Sequence, residues 1–174
     1  MSSCMSGLGG MTQGLLSEGL ARLKGEHPAL RKQMEELFAL TQQFDQEIDV
    51  EKNFHQLIQK VKEFKSDLDP HSEREEGVLF PMMGVYIGIT SGPIAVMEYE
   101  HDQAKSQIGA FLEKAVSGQP TIDEQKKLAV LIQNAYLILT DHFNKEENVL
   151  FPMAERMLSD EEKAELLLKI QEIN

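Results

Sequence analysis

The sequence has no tryptophan and one cysteine, and aromatic residues make up only 6% of it. A single cysteine cannot form an internal disulfide, so an oxidising compartment is not implied. The chain of 174 residues has the size of one ordinary domain. With few aromatic side chains available, its core must be built mainly from Leu, Ile, Met and Ala.

Basic residues and long apolar runs are also scarce. The net charge of −12 opposes nucleic acid or an anionic membrane as the main partner, because both repel an acidic protein. No apolar run approaches the roughly 20 residues of a membrane span. No Lys or Arg precedes Leu15, so the N-terminus lacks the positive region of a secretory signal. We therefore expect a cytoplasmic protein.

Apolar residues at helical spacing predict an all-α fold, an up-down-up-down four-helix bundle with a short C-terminal helix. Residues 1–11 are predicted to form a flexible tail, and residues 12–174 the bundle domain. The predicted helices run from about Met11 to Asp45, about Val50 to Tyr86, Pro93 to about Val116, Thr121 to about Met157, and Ser159 to about Ile173.

Local signals mark several helix boundaries. Pro93 is suited to the first position of a helix, and Thr121 with Glu124 forms a capping-box pattern. Pro70 lies inside the second predicted helix. Because the residue before a proline avoids the helical region, we expect a kink or a restart there.

An internal repeat is the most informative feature. The run HSEREEGVLFPM at residues 71–82 matches HFNKEENVLFPM at residues 142–153, at a constant offset of 71 residues. A Glu-His pair precedes each copy, at residues 26–27 and 100–101. The chain therefore reads as two helical hairpins, each with one single histidine and one His-x-x-x-Glu motif.

The spacing within the repeat favours a metal site. Residues four apart share one helix face, with Cβ atoms roughly 5–6 Å apart. The helical paths to the two histidines of each hairpin have similar lengths, so all four helices can present their ligands at one level. The glutamates that follow, Glu76 and Glu147, lie about 100° further round a helix, and we expect them to be solvated. The predicted metal ligands are His27, His71, Glu75, His101, His142 and Glu146.

Other candidate residues are given structural roles. His55 has no counterpart in the second hairpin and is predicted to be a surface or structural histidine. The two Leu-Phe-Pro segments are expected to pack the end of the bundle, with Pro81 and Pro152 disrupting regular hydrogen bonding. Tyr99 and Tyr136 lie near the ligand-bearing segments and could either support the site or simply pack.

Imidazole and carboxylate ligands suit iron, manganese or zinc. Six ligands are too many for one tetrahedral ion, but they divide well between two ions when both glutamates are shared. Each ion then has two histidines, and positions remain for a bridging and an exogenous ligand. The pair of Glu-x-x-His motifs that ferritin-like sites use is absent from the sequence.

At these residues the chain resembles the hemerythrin-like (HHE cation-binding) family over nearly its full length. The runs GPIAVMEYEHD (92–102) and DHFNKEENVLFP (141–152) look like the di-iron domain of the repair-of-iron-centres proteins. The resemblance implies two iron ions with an oxo or hydroxo bridge. It makes the four histidines terminal ligands, and Glu75 and Glu146 the bridging carboxylates.

Two differences separate this chain from members of that family. Oxygen-carrying hemerythrins have a further histidine where this chain has Lys105, and the repair proteins usually have a cysteine-bearing N-terminal domain where this chain has a short tail with Cys4. We expect a non-haem di-iron protein that handles nitric oxide, oxygen or peroxide, or that supplies iron for iron-centre repair. An oxygen carrier or sensor and an iron-responsive interaction module remain alternatives, and no protein partner is indicated.

Overall fold

The computed structural model describes residues 14–174, which form helices and connecting turns without a β-strand. Two five-residue π-helical turns, π1 (Glu75–Leu79) and π2 (Glu146–Leu150), each join two α-helices into one continuous rod. Within these residues the predicted all-α bundle is confirmed, with α7 as its short C-terminal helix. The α-helices are α1 (Glu18–Asp45), α2 (Val50–Arg74), α3 (Phe80–Ile87), α4 (Pro93–Ser117), α5 (Ile122–Lys145), α6 (Phe151–Met157) and α7 (Asp160–Gln171).

The start of the first helix differs from the prediction. Residues 14–17 are not helical, and α1 begins at Glu18 with Ser17 as its N-cap, rather than near Met11. The backbone N–H of Ser17 donates a hydrogen bond of 2.8 Å to Glu155 on α6, which fixes the entry of the chain into the bundle. The predicted tail, residues 1–11, lies outside the described residues.

The other predicted helix starts are confirmed. Thr121 accepts a hydrogen bond from the N–H of Glu124, whose carboxylate accepts one from the N–H of Thr121, which completes the capping box. Ser159 caps α7 through the N–H of Glu162. Pro93 begins α4 directly after Gly92, whose φ of +77° lies in the left-handed region that favours glycine.

The restart expected at Pro70 is wrong, because α2 runs unbroken from Val50 to Arg74. A proline removes one helical hydrogen bond, to the carbonyl four residues earlier. That carbonyl belongs to Ser66, an exposed residue where water can replace the missing donor. The helix therefore continues to His71.

The helical geometry changes instead at the two glutamates of the repeat. The N–H of Phe80 bonds to the carbonyl of Glu75, five residues back, and Phe151 bonds to Glu146 in the same way. A proline follows each phenylalanine, and its ring clashes with the carbonyl four residues before it in a regular helix. The disruption predicted at these prolines thus takes the form of a π-turn.

Two apolar clusters fill the bundle, one on each side of a buried polar layer. Helix α7 belongs to the smaller cluster through Leu166 and Ile170, both fully buried. Gly19 on α1 permits this contact, because an added Cβ would lie 3.2 Å from Cγ of Leu166. Within residues 14–174 no helix combines the length and hydropathy needed to cross a membrane. The larger cluster includes Phe44, Phe54, Phe64, Phe111 and Phe143, and the smaller includes Leu20, Leu23, Phe80, Met83 and Phe151.

Candidate metal centre

The structure brings all six predicted ligands together in the polar layer between the clusters. They form two groups of four, each with ligand atoms within 4.8 Å of one another. Both groups contain Glu75 and Glu146, as predicted for a shared carboxylate pair. The first group adds His27 and His71, and the second adds His101 and His142.

Each carboxylate directs one oxygen toward each group. Oε1 of Glu75 lies 3.2 Å from Nε2 of His71, and Oε2 lies 3.3 Å from Nε2 of His101. Since one oxygen faces each group, a single carboxylate could bridge two ions.

Glu146, in the second hairpin, repeats this arrangement. Its Oε2 lies 3.1 Å from Nε2 of His27, and its Oε1 lies 2.9 Å from Nε2 of His142. The sequence repeat is therefore also a repeat of geometry, with each glutamate four residues after a histidine of its own hairpin.

The donor atoms fit a metal ion. The four Nε2 atoms and the four carboxylate oxygens are buried, and none has a hydrogen-bond partner within the protein. Leaving a buried polar group without a partner costs about 1–3 kcal/mol, and more for a charged group. Cations bound between these atoms would satisfy all eight.

The expectation that Glu76 and Glu147 are solvated is wrong. Nδ1 of His101 lies 2.6 Å from Oε1 of Glu76, and Nδ1 of His27 lies 2.8 Å from Oε1 of Glu147. The side chains of Glu76 and Glu147 are only 31% and 23% exposed. These hydrogen bonds depress the pKa of Glu76, and also that of Glu147 although its partial burial opposes ionisation.

The glutamates of the Glu-His pairs stand behind the other two histidines. Nδ1 of His142 lies 2.9 Å from Oε2 of Glu100, whereas Nδ1 of His71 lies 3.7 Å from Oε1 of Glu26. An ionised carboxylate only accepts hydrogen bonds, so Nδ1 carries the proton in His27, His101 and His142, and in a neutral imidazole the Nε2 lone pair then faces the centre. We call Glu26, Glu76, Glu100 and Glu147 the backing carboxylates.

Each backing carboxylate also pairs with a basic side chain. Lys105, at the position of the extra histidine in oxygen carriers, lies with Nζ 3.2 Å from both oxygens of Glu76. It is thus directed at a backing carboxylate. The other pairs are Glu147 with Arg31 at 3.2 Å, Glu26 with Arg74, and Glu100 with Lys145.

Glu75 and Glu146 face each other too closely for both to ionise readily without a cation between them. Burial and the charge of Glu75 raise the pKa of Glu146 well above its ordinary value. Burial also opposes the ionisation of Glu75, but His71 and His101 outweigh it and hold its pKa well below the usual range. For His71, burial is outweighed by Glu75 and Glu26, which raise its pKa to about 9.

The remaining candidates lie outside the centre. His55 is exposed and belongs to neither group, which agrees with its predicted surface role. Tyr99 is exposed. Tyr136 packs against the larger apolar cluster and stacks on Phe38, with ring centroids 4.4 Å apart. Neither tyrosine contacts a ligand.

The backing carboxylates are the functional residues that sequence reasoning missed. Their signal was present, because all four lie in the duplicated Glu-His and His-x-x-x-Glu-Glu motifs. For Glu76 and Glu147, the packing between the two hairpins decides which histidine each one reaches.

Comparison with known proteins agrees with this centre. The family model "Hemerythrin HHE cation binding domain" matches residues 18–168. The chain therefore belongs to the hemerythrin HHE cation-binding family. Membership implies that it binds iron, and hemerythrins bind small ligands such as O₂.

Similar curated proteins are described as acting in iron–sulfur cluster repair. The iron-sulfur cluster repair protein YtfE of Musicola paradisiaca is 31% identical over 136 residues, which are 75% of this chain and 61% of the relative. YtfE of Pectobacterium carotovorum is 32% identical over 106 residues, 59% and 48% of the two chains. A probable iron-sulfur cluster repair protein of Haemophilus influenzae is 31% identical over 101 residues, 55% and 45% of the two chains. The chain thus matches about half the length of these relatives.

Proposed function

We propose that this chain holds two iron ions in one shared centre and takes part in the repair of iron centres by supplying iron. The observation that carries this proposal is the set of eight buried donor atoms that converge without hydrogen-bond partners. Their division into two groups with a common carboxylate pair suits two ions better than one.

The distances support the proposed ligand roles. His27 and His71 would hold one ion, His101 and His142 the other, and Glu75 with Glu146 would be shared between them. Iron at these positions supplies one-electron redox chemistry and open coordination positions for a small ligand. The protein orients the imidazoles of His27, His101 and His142 through their Nδ1 protons, and its two apolar clusters limit access of water.

Iron supply is supported by the ligand chemistry and by the printed names of the relatives. Histidine and carboxylate ligands without a thiolate bind Fe²⁺ less tightly than the later divalent metals, which leaves the ion exchangeable. Nitric oxide, O₂ or peroxide is the proposed exogenous ligand of the same centre. The cytoplasmic location and the absence of a nucleic-acid partner stay predictions.

Metal analysis of anaerobically loaded protein tests the centre. We expect about two irons per chain in the wild type, and loss of both when Glu75 and Glu146 are replaced together by alanine. Glu73→Ala provides the matched control, because Glu73 is exposed and lies between His71 and Glu75 in the sequence. A second pair of variants tests a histidine: His71→Ala should lose iron, whereas His55→Ala, at an exposed position, should not. A constant single zinc with no iron in every preparation would contradict the di-iron proposal.

Iron transfer tests the repair role separately. Loaded protein is mixed with an iron-depleted iron–sulfur protein, sulfide and a thiol reductant, and recovery of the acceptor's cluster absorbance is followed. The control reaction contains an equal amount of free Fe²⁺ in the presence of a weak chelator. A greater recovery of cluster absorbance with the loaded protein than in this control supports repair. If two irons bind but the acceptor never recovers, the centre stands and the repair role fails.

A further inference from the structure

The two ion positions differ in the basic residues that anchor their backing carboxylates. Behind His27 and His71 both anchors are arginines, Arg31 and Arg74. Behind His101 and His142 both are lysines, Lys105 and Lys145. The inner ligands are matched, so this difference lies entirely outside them.

The arginines have further partners that hold them in place. Arg74 donates a hydrogen bond of 2.9 Å to the carbonyl of Ile173, and its side chain is only 10% exposed. Arg31 donates one of 3.0 Å to Asn144 and lies over the ring of Phe143, 5.5 Å from its centroid. Both guanidinium groups are therefore fixed by the fold independently of the carboxylates.

The lysines are held less firmly. Lys145 is 40% exposed and divides its contacts between Glu100 and Asp141. Lys105 is 36% exposed, and within residues 14–174 its ammonium pairs with Glu76 alone. An ammonium on a flexible four-carbon stem keeps a fixed geometry less well than a planar guanidinium, and water competes for it strongly.

One distance argues against a firmer hold on the side of His27 and His71. Glu26 lies 3.7 Å from Nδ1 of His71, the longest of the four backing contacts. Yet Glu26 is fixed by buried Arg74, which is itself bound to a backbone carbonyl. The position of this carboxylate is thus set by the fold, although it lies beyond hydrogen-bond distance from the imidazole.

We infer that the two ions are not equivalent, and that the ion held by His101 and His142 is the one that leaves first. A loosely anchored backing carboxylate leaves its imidazole freer to turn away from the ion. This inference rests on the proposed di-iron centre and identifies which position serves as the source of iron. The ion at His27 and His71 stays behind and keeps the bridging carboxylates in place.

Release kinetics test this inference. Protein loaded anaerobically with Fe²⁺ is mixed with excess of a ferrous-specific chromogenic chelator, and absorbance is followed. Two phases of equal amplitude are expected, with rates at least about 10-fold apart, the lower end of outer-ligand effects on metal binding. Two ions that leave in one phase would overturn the inference and leave the proposed centre intact. Binding of fewer than two irons per chain would overturn both this inference and the proposed di-iron centre.

Reciprocal conservative variants assign the phases. Lys105→Arg with Lys145→Arg should slow the fast phase alone, and Arg31→Lys with Arg74→Lys should accelerate the slow phase alone. Every variant retains its positive charge, so a general charge effect is controlled. If the lysine-to-arginine variant slows the slow phase instead, or changes neither, the assignment is wrong.

Discussion

Nδ1 of His101 lies 2.6 Å from Oε1 of Glu76, and Glu76 in turn is held by Lys105. This relationship explains two features of the sequence at once. The glutamate after each proposed bridging carboxylate reaches across to the other hairpin, and the lysine at the extra-histidine position of oxygen carriers anchors it.

Weakening a backing carboxylate should weaken metal binding without removing a ligand. Glu76→Gln keeps the shape of the side chain but accepts the Nδ1 proton less strongly, so we expect about a 10-fold loss of affinity. Chelator competition under anaerobic conditions measures it. Glu73→Gln, on the exposed side of the same rod, should leave the affinity unchanged. Equal affinities for the two variants would show that the bond to His101 contributes nothing.

Metal binding should release protons. In the metal-free chain Glu75 and Glu26 raise the pKa of His71 to about 9, which favours its protonated form at pH 7, and burial raises the pKa of Glu146. A metal ion must displace the protons on its ligands, so metal uptake at pH 7 should release protons, and metal affinity should weaken as the pH falls. Calorimetric titrations in buffers of different ionisation enthalpy count them. A heat that is independent of buffer would contradict the prediction.

Glu146 should make the metal-free fold sensitive to alkaline pH. Its pKa is raised above the ordinary 4.5, so its contribution to stability is complete below pH 4.5 and is lost as pH rises through the folded-state pKa. Glu146→Gln cannot ionise. Its free energy of unfolding relative to the wild type should therefore improve as the pH rises from 5 to 8.

Urea unfolding in the presence of a chelator provides this comparison, with Glu73→Gln as the exposed control. A difference between Glu146→Gln and the wild type that stays constant across this pH range would mean that Glu146 titrates normally.

Removal of the metal should lower stability but leave the helices formed. The two apolar clusters hold the helices of the bundle together on both sides of the centre, and this packing does not depend on an ion. With free metal about 1,000-fold above its Kd, binding adds about 4 kcal/mol, so the melting temperature should fall on chelation. Circular dichroism separates the outcomes. A large loss of helicity at 25 °C would instead favour the iron-responsive interaction module.

The six residues of the proposed centre could be predicted because their spacing is local in sequence. His71 and Glu75 share a helix face by spacing alone, and the repeat supplies His142 and Glu146 in the same relation. The single histidines could be placed at the same level because helical rise fixes distance along a rod. Pro70 misled the prediction, because the cost of one missing hydrogen bond depends on whether water reaches the orphan carbonyl.

By itself, the sequence determined the all-α bundle, its duplicated hairpins and the six residues that meet at its centre, since each depends on helical period and spacing. Only the tertiary structure decided what stands behind them. Contacts such as Glu76 with His101 and Glu147 with His27 cross from one hairpin to the other, over 25 and 120 residues of chain. Such contacts depend on how the helices of one hairpin pack against those of the other. A short-range sequence pattern does not encode that packing.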